Sequence, residues 1–326
     1  MTKKSTVLSH VYSPPSRRVA RAMAADSIRQ AVPFPMPTVT REQLPPQFRK
    51  QQADRKSTRA SSLTVPKRRA AIAPGTGSIS PTATSFEPRL TERVANIATF
   101  PYSAIGKMFF VDQGGGMFVG SAWVIGRRSF ATAAHCLFDS DNTNDFYDNI
   151  TFVPGFAGND DADRIAVVES AVHPNYRSEG FPEQLRWDLG VAIVDHDLIA
   201  DFGALGYDAS GSISTSEIEA VGYPAERRPI PRSRNNGQTD SETFAFDGSR
   251  MWHSIGDFLG EDGDLHGMEN EMTGGCSGGP WITPDDHVAI GLNSHRLVPH
   301  DNRMFSPLFD DDFLLLLEWL AEKDAL

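Results

Sequence analysis

The 326-residue chain is 40 % hydrophobic with a formal net charge of −11, a composition that supports a globular body with a substantial core. Its longest apolar run, Phe313 to Leu317, stops at Glu318, far short of the roughly twenty residues of a membrane helix, so a soluble protein is expected. Charge divides the chain: residues 1–90 hold about 16 basic and about 4 acidic side chains against about 15 and 38 afterwards, a tail of roughly +12 on a body of roughly −23.

The opening Thr2-Lys3-Lys4 is not followed by the apolar core of a secretory signal, so no ordinary export signal is visible. The Arg-rich, acid-poor start, with loosely amphipathic Val19, Ala20, Met23 and Ile28, also has the make-up of an organelle transit peptide. Prolines cluster at Pro14-Pro15, Pro33, Pro35, Pro37 and Pro45-Pro46 among basic runs such as Lys67-Arg68-Arg69, without sustained periodicity. Residues 1–93 are therefore expected to form a basic, Pro-rich, disordered extension that packs no core. Such a tail has the charge to bind nucleic acid, but attraction to its own acidic body is the reading adopted.

From about Ile97 the pattern turns to short β-rich pieces. Ala104 to Val111 and Met117 to Ile125 flank the turn Asp112-Gln113-Gly114-Gly115-Gly116 and predict a hairpin. Further runs at Ile150 to Val153, Ile165 to Val172, Leu189 to Val194, Ile218 to Val221 and Val288 to Leu292 predict an all-β barrel or sandwich. At the end, Phe313, Leu316, Leu317 and Leu320 recur at helical spacing behind Asp310-Asp311-Asp312, which predicts an amphipathic helix docked on the last barrel.

Three motifs carry the elements of acyl transfer, which needs a nucleophile, a base within reach of it and a group that orients the base. They are Thr132-Ala133-Ala134-His135-Cys136, Trp187-Asp188-Leu189-Gly190, and the Gly-rich turn Gly274-Gly275-Cys276-Ser277-Gly278-Gly279-Pro280. A lone His, Asp or Gly-Ser turn is usually structural; all three in this order are not. Asp139, Asp141, Thr143 and Asp145 alternate as in a calcium loop, but Ile150 stands where the twelfth-position Glu belongs, so a solvated acidic loop is expected there. Asp160, Asp161 and Asp163 are read the same way, and neither a metal nor a cofactor is expected.

In their order His, Asp, Ser, these motifs make residues 94–326 closely resemble the chymotrypsin/trypsin-like serine peptidase family. Val172-His173-Pro174-Asn175-Tyr176 extends the resemblance, and Val221-Gly222-Tyr223-Pro224 brings it nearest the bacterial glutamyl endopeptidase branch. The resemblance implies two packed six-stranded antiparallel β-barrels with a C-terminal helix and a catalytic site between the barrels. It implies a serine endopeptidase acting on proteins or peptides, with His135 as base, Asp188 as its orienting partner and Ser277 as nucleophile. The amides of Gly275 and Ser277 would form the oxyanion hole, and Ser294 would hydrogen-bond Asp188. It also implies secretion, and a pro-segment cut after Arg93 so that the mature chain begins near Val94. The alternative is a catalytically silent protease-fold binding module, against which the complete set of three groups argues.

Two departures stand out. Trypsin-like relatives carry Asp before the nucleophile, where it pairs with a freed N-terminal amine; here it is Cys276, a departure the glutamyl branch shares. The cysteine following the catalytic His ordinarily bridges to one upstream, where this chain has Gly120, so Cys136 and Cys276 are expected as free thiols. For specificity, the glutamyl branch uses a histidine at the position of Asn293, while His295 and Arg296 lie close by for reading a carboxylate. Against this, Glu271 sits where trypsin-like relatives bind Arg or Lys, with bulky Met272 beside it. The sequence leaves acidic and basic preferences both open.

Overall fold

The computed structural model describes residues 7–13, 31–40, 65–74, 91–158, 164–229, 243–244, 246–262, 265–298 and 303–326. No helix among them is long and apolar enough to cross a membrane. The clusters Pro14-Pro15 and Pro45-Pro46 and the acids Asp160, Asp161 and Asp163 lie outside the described residues.

The first 93 residues contribute five short strands, β1 (Leu8–Val11), β2 (Val32–Pro33), β3 (Thr38–Thr40), β4 (Arg68–Arg69) and β5 (Thr91–Arg93). Each pairs with a strand of the body, so these pieces of the extension are held there by backbone pairing, a contact that charge alone did not predict. The physical reason is the open sheet edge: backbone N–H and C=O groups accept any extended partner, and extended backbone is what a Pro-rich segment already favours.

The first half of the body closes into a six-stranded barrel. Its strands are β6 (Ile105–Val111), β7 (Met117–Gly126), β8 (Ser129–Thr132), β11 (Asp148–Pro154), β12 (Ile165–Val172) and β13 (Gly190–Val194). They follow the order β12-β11-β6-β7-β8-β13, and β13 returns to β12 through pairs such as Ala171 with Val191. The β6–β7 turn forms because the Asp112 carboxylate accepts the Gly116 N–H at 2.7 Å while Gly115 takes φ +84°. Phe109, Phe130 and Phe152 are fully buried in this half, each contributing roughly 2–3 kcal/mol of apolar burial. A small ladder, β9 (Phe138–Asp139) with β10 (Asp145–Phe146), lies beside it. There the Asp139 carboxylate accepts bonds from the backbone N–H of Asp141, Asn142 and Thr143 and from the side chains of Asn142 and Thr143. The loop's own donors thus occupy the first acid of the calcium-like run.

The second half is built from β14 (Gly206–Asp208), β15 (Glu217–Gly222), β18 (Trp252–Asp262), β19 (Leu265–Glu269), β20 (Pro280–Ile282), β21 (Val288–Leu292), β22 (His295–Val298) and β23 (Arg303–Pro307). A separate pair joins β16 (Arg228–Pro229) to β17 (Thr243–Phe244). The sheet runs β3-β22-β23-β19-β18-β15-β20-β21-β14-β4, with β5 on β18, and does not close. The expected pair of six-stranded barrels is therefore corrected: one barrel packs against an open sheet. At the gap between β21 and β23 a side chain replaces the backbone partner, because the Leu292 N–H donates to Ser306 Oγ at 2.9 Å. A Cβ on Gly291 would sit 2.8 Å from that hydroxyl. The remaining link there is a backbone bond from Ser294 to Phe305 at 3.1 Å.

Among the described residues three helices complete the body: α1 (Pro174–Ser178), α2 (Leu198–Phe202) and the terminal α3 (Asp311–Glu322). Asp310 caps α3 by accepting the Asp312 N–H, with Asp311 and Asp312 in the first turn suiting the helix dipole. The apolar stripe Phe313, Leu316, Leu317 and Leu320 is buried as expected. It docks on both halves, against β13 of the barrel, with Ser129 Oγ donating to Ala325 O at 2.7 Å, and against β14 of the second half, where the Phe313 ring meets Tyr207 edge to face.

Candidate active site

The three acyl-transfer residues stand on three different supports. His135 sits in a single 3-10 turn, Ala134–Cys136, directly after barrel strand β8. Asp188 ends another such turn, Glu183–Trp187, just before β13. Terminal helix α3 braces this second turn, since Asp312 accepts the Trp187 indole N–H at 2.9 Å and approaches His173 Nε2 at 3.3 Å. His173 itself caps α1 and stacks on Trp187. Strands β13 and β8 pair through Gly190 and Thr132, which brings the two turns together.

Asp188 is fully buried and accepts three donors: the His135 N–H at 2.9 Å, His135 Nδ1–H at 2.8 Å and Ser294 Oγ–H at 2.5 Å. Burial by itself would raise this carboxyl, but the His135 ring and these hydrogen bonds hold it below its ordinary value. For His135, burial works to lower the imidazole and the adjoining Asp188 charge outweighs it, raising the ring well above 6.5. Asp188 thus holds His135 at both its backbone N–H and its Nδ1, and Ser294 shares the same carboxylate.

Ser277 lies in the turn between β19 and β20. Gly275 at φ +94° and Gly278 at φ +81° allow that turn, and only glycine fits either place. A Cβ on Gly275 would meet Tyr223 O at 2.7 Å, and one on Gly278 would collide with Thr132 Oγ1 and Ser121 O. The loop is pinned to the barrel by the Ser121 N–H donating to Ser277 O at 2.7 Å and Ser121 Oγ donating to Gly275 O at 2.9 Å. Neighbouring amides are spoken for: Cys276 N–H goes to Thr273 O and Gly278 N–H to Asn293 O. Ser277 Oγ and His135 Nε2 are both buried without a hydrogen-bond partner, so the serine–histidine bond is not formed.

Both cysteines are free and buried. Gly120 does face Cys136, for a Cβ there would lie 2.9 Å from Cys136 Sγ and 3.4 Å from Ser277 O. Burial pushes the Cys276 thiol up to about 12.

The residues proposed from sequence to read the substrate divide into two groups. Glu271 is buried and accepts from Thr91 Oγ1 at 2.8 Å, a bond from the last strand of the extension that sequence spacing could not reveal. Asn293 is a structural hub, accepting from Trp281 Nε1 and Asn270 Nδ2 and donating to the Val221 and Cys276 carbonyls. Met272 and Arg296 come together, with the buried guanidinium donating to the carbonyls of Asn270 and Met272. His295 is stacked on Phe305, with burial lowering it to about 4.

The sequence reading missed Phe34. Its ring stacks on the His135 imidazole with centroids 5.6 Å apart, and residues 34–38 form one wall of a cavity of about 460 Å3 whose other side includes His135, Phe138, Tyr147 and Tyr176.

No family model matches the chain. It is 23 % identical over 222 residues to the glutamyl endopeptidase of Bacillus licheniformis, a match covering 67 % of this chain and 65 % of that relative's length. Among solved structures it is similar to the protease Anisep from Arthrobacter nicotinovorans, with TM-score 0.57 and 20 % identity over 72 % of this chain and all of that one. It is also similar to the thermostable serine protease AL20 from an extremophilic microorganism, with TM-score 0.55 and 23 % identity over 68 % of this chain and 97 % of that one. A Glu endopeptidase gives TM-score 0.55 at 16 % identity over 72 % of this chain and 98 % of its own. The chain has the chymotrypsin/trypsin-like serine protease fold, with a weak and partial likeness to glutamyl endopeptidase.

Proposed function

We propose that the protein is a serine endopeptidase in which His135, Asp188 and Ser277 act as one unit, residues 94–326 forming the protease domain. One observation carries this reading. Two buried polar atoms, Ser277 Oγ and His135 Nε2, lack partners, while the other ring nitrogen is fixed by a carboxylate that is itself held by Ser294. Buried groups left unsatisfied are costly, and they are kept where chemistry uses them.

In the proposed reaction His135 Nε2 takes the Ser277 proton as Oγ attacks the peptide carbonyl, and Asp188 stabilises the imidazolium that results. The oxyanion is received by the Gly275 and Ser277 amides, and the imidazolium returns its proton to the leaving amine. Water then repeats the sequence on the acyl-enzyme. The unformed serine–histidine bond is what favours the silent binding module as second reading, although such bonds often tighten only when substrate is bound.

For specificity we propose an acidic side chain before the scissile bond. Glu271 is engaged by Thr91 and so is poorly placed to receive a cation, whereas the Arg296 guanidinium lies beside Met272 and Asn270 in the loop leading to Ser277. A pro-segment ending at Arg93 is kept as a proposal; cutting there requires β5 to leave β18, since Val94 N–H also donates to Met251 O at 3.0 Å.

The test is covalent labelling by an organophosphonate together with cleavage of a mixed peptide library. Ser277→Ala should abolish both, and His135→Ala should lower turnover by several orders of magnitude because the members act together. Undiminished hydrolysis by the Ser277→Ala protein would sink the mechanism.

A further inference from the structure

We infer that residues 32–40 are an internal inhibitor, a strap laid through the catalytic groove; this rests on the active site proposed above and concerns its regulation. The path of the segment is the argument. It begins at the barrel, where Val32 and Pro33 pair with Phe118 and Val119 of β7 and the Phe34 N–H donates to Val119 O at 3.4 Å. The Phe34 ring then covers the His135 imidazole. On the opposite wall, Phe34 O lies 2.9 Å from where a Cβ of Gly274 would be, at the start of the nucleophile turn. The segment ends on the second sheet, where the Arg296 N–H donates to Pro37 O at 3.0 Å and β3 pairs in parallel with β22, Thr38 opposite Arg296.

A peptide offering a carbonyl to Ser277 has to pass between His135 and the 274–277 turn, and its backbone would be held by the edge of β22, the strand that begins directly after Ser294. The strap uses both places. Val39 anchors it, fully buried in a cluster with Leu185 and Phe305. Leu185 belongs to the turn that carries Asp188.

The strap's own composition explains why the enzyme would leave it uncut. The run Val32-Pro33-Phe34-Pro35-Met36-Pro37 makes every second peptide bond a bond to proline. In such a bond the nitrogen carries ring carbon in place of a hydrogen, which crowds the approach of the proton that His135 must deliver to the leaving group. Proline also pre-sets the extended backbone, so little chain entropy is lost when the strap docks. Because it is tethered, its effective concentration is on the order of millimolar.

The experiment uses the full chain and two variants, Phe34→Ala, which uncovers His135, and Val39→Ala, which loosens the anchor at its buried end. The readouts are the rate of phosphonate labelling at Ser277, the thermal midpoint, and binding of a fluorescent synthetic peptide of residues 31–40 at up to millimolar concentration. Labelling should speed up about tenfold or more in both variants, and the peptide should bind them and slow labelling again, while the wild-type chain ignores it. Equal labelling rates in wild type and variants, with no effect of peptide, overturn the strap and leave the active site standing. No labelling in any chain, with the peptide still bound by the variants alone, overturns the active site and upholds the strap as the groove's occupant. Neither labelling nor peptide binding overturns both. If Phe34→Ala unfolds, the Val39→Ala protein alone decides the outcome.

Discussion

At the scale of single residues, the proposed mechanism turns on how Asp188 and His135 share a proton. Only the neutral imidazole can accept the Ser277 proton, so activity is present above the His135 pKa and lost as pH falls through it. Because Asp188 lifts that value above 6.5, the acid limb of kcat/KM should lie on the alkaline side of an ordinary histidine. Asp188→Asn should lower kcat by about 10^4-fold through the wrong tautomer, and should move the acid limb downward because burial then acts without the opposing Asp188 charge. A pH–rate profile of the two proteins checks both signs; an unmoved limb would show that the carboxylate does not set the base. Residues such as these were legible because their motifs are local and chemically distinctive. The substrate-reading set was not, since the partner of Glu271 is Thr91, 180 positions away in the sequence, and nothing near Asn293 announces that all its amide bonds are structural.

Among the elements, strands whose apolar residues run together were readable: Ile165–Val172 and Val288–Leu292 are strands with the same ends that their sequence suggested. Strand β18, Trp252–Asp262, was not, because His, Ser, Gly and Asp break its apolar pattern, and it is held by β15 along residues 252–257 and by β19 along residues 258–262. The opening of the second sheet was equally hidden, for it lies where Ser306 Oγ takes the Leu292 N–H across the gap beside Gly291. The β7 strand offers a direct test of element geometry. In a disulfide an S–S bond of about 2.04 Å places each Cβ about 3 Å from the opposite sulfur, and the 2.9 Å from a Cβ at position 120 to Cys136 Sγ fits that. Gly120→Cys should therefore oxidise spontaneously to a bridge with Cys136, closing a loop worth about 3 kcal/mol. The thermal midpoint should rise by about 6–12 °C and the gain should vanish on reduction. A free thiol at position 120 in air-oxidised protein would show that β7 and the His135 turn are not held at this spacing.

For the whole molecule, the extension is joined to the body by strand pairing more than by charge. Among the described residues, Lys67 pairs with Asp311 and Arg68 with Asp208 and Asp286 through basic side chains that are more than half exposed, and such pairs contribute little each. The ladders of β1, β2, β3, β4 and β5 take the extension onto both halves of the fold, so moderate salt should not release it. Acid acts on the molecule by another route. Burial lowers His266 and His295 to about 4 each, below the 6.5 they regain on unfolding, so between those values the unfolded chain binds more protons than the native one. Stability must therefore fall as pH drops from about 6.5 towards about 4, by about 2 kcal/mol for each ring at about pH 5. His253 works in the opposite sense: burial lowers it, but Glu219 and Glu92 hold it above 6.5, so its contribution is present in acid and lost as pH rises through its raised value. His135, raised by Asp188, acts in the same sense as His253, so the acid loss is read on His266 alone. His266→Phe tests this, since the ring is buried beside that of Phe258. The variant should lose about 4–8 °C less in thermal midpoint than wild type between about pH 7 and about pH 5. Parallel midpoint curves for the two proteins would show that His266 is protonated in the native state and that acid weakens the fold elsewhere.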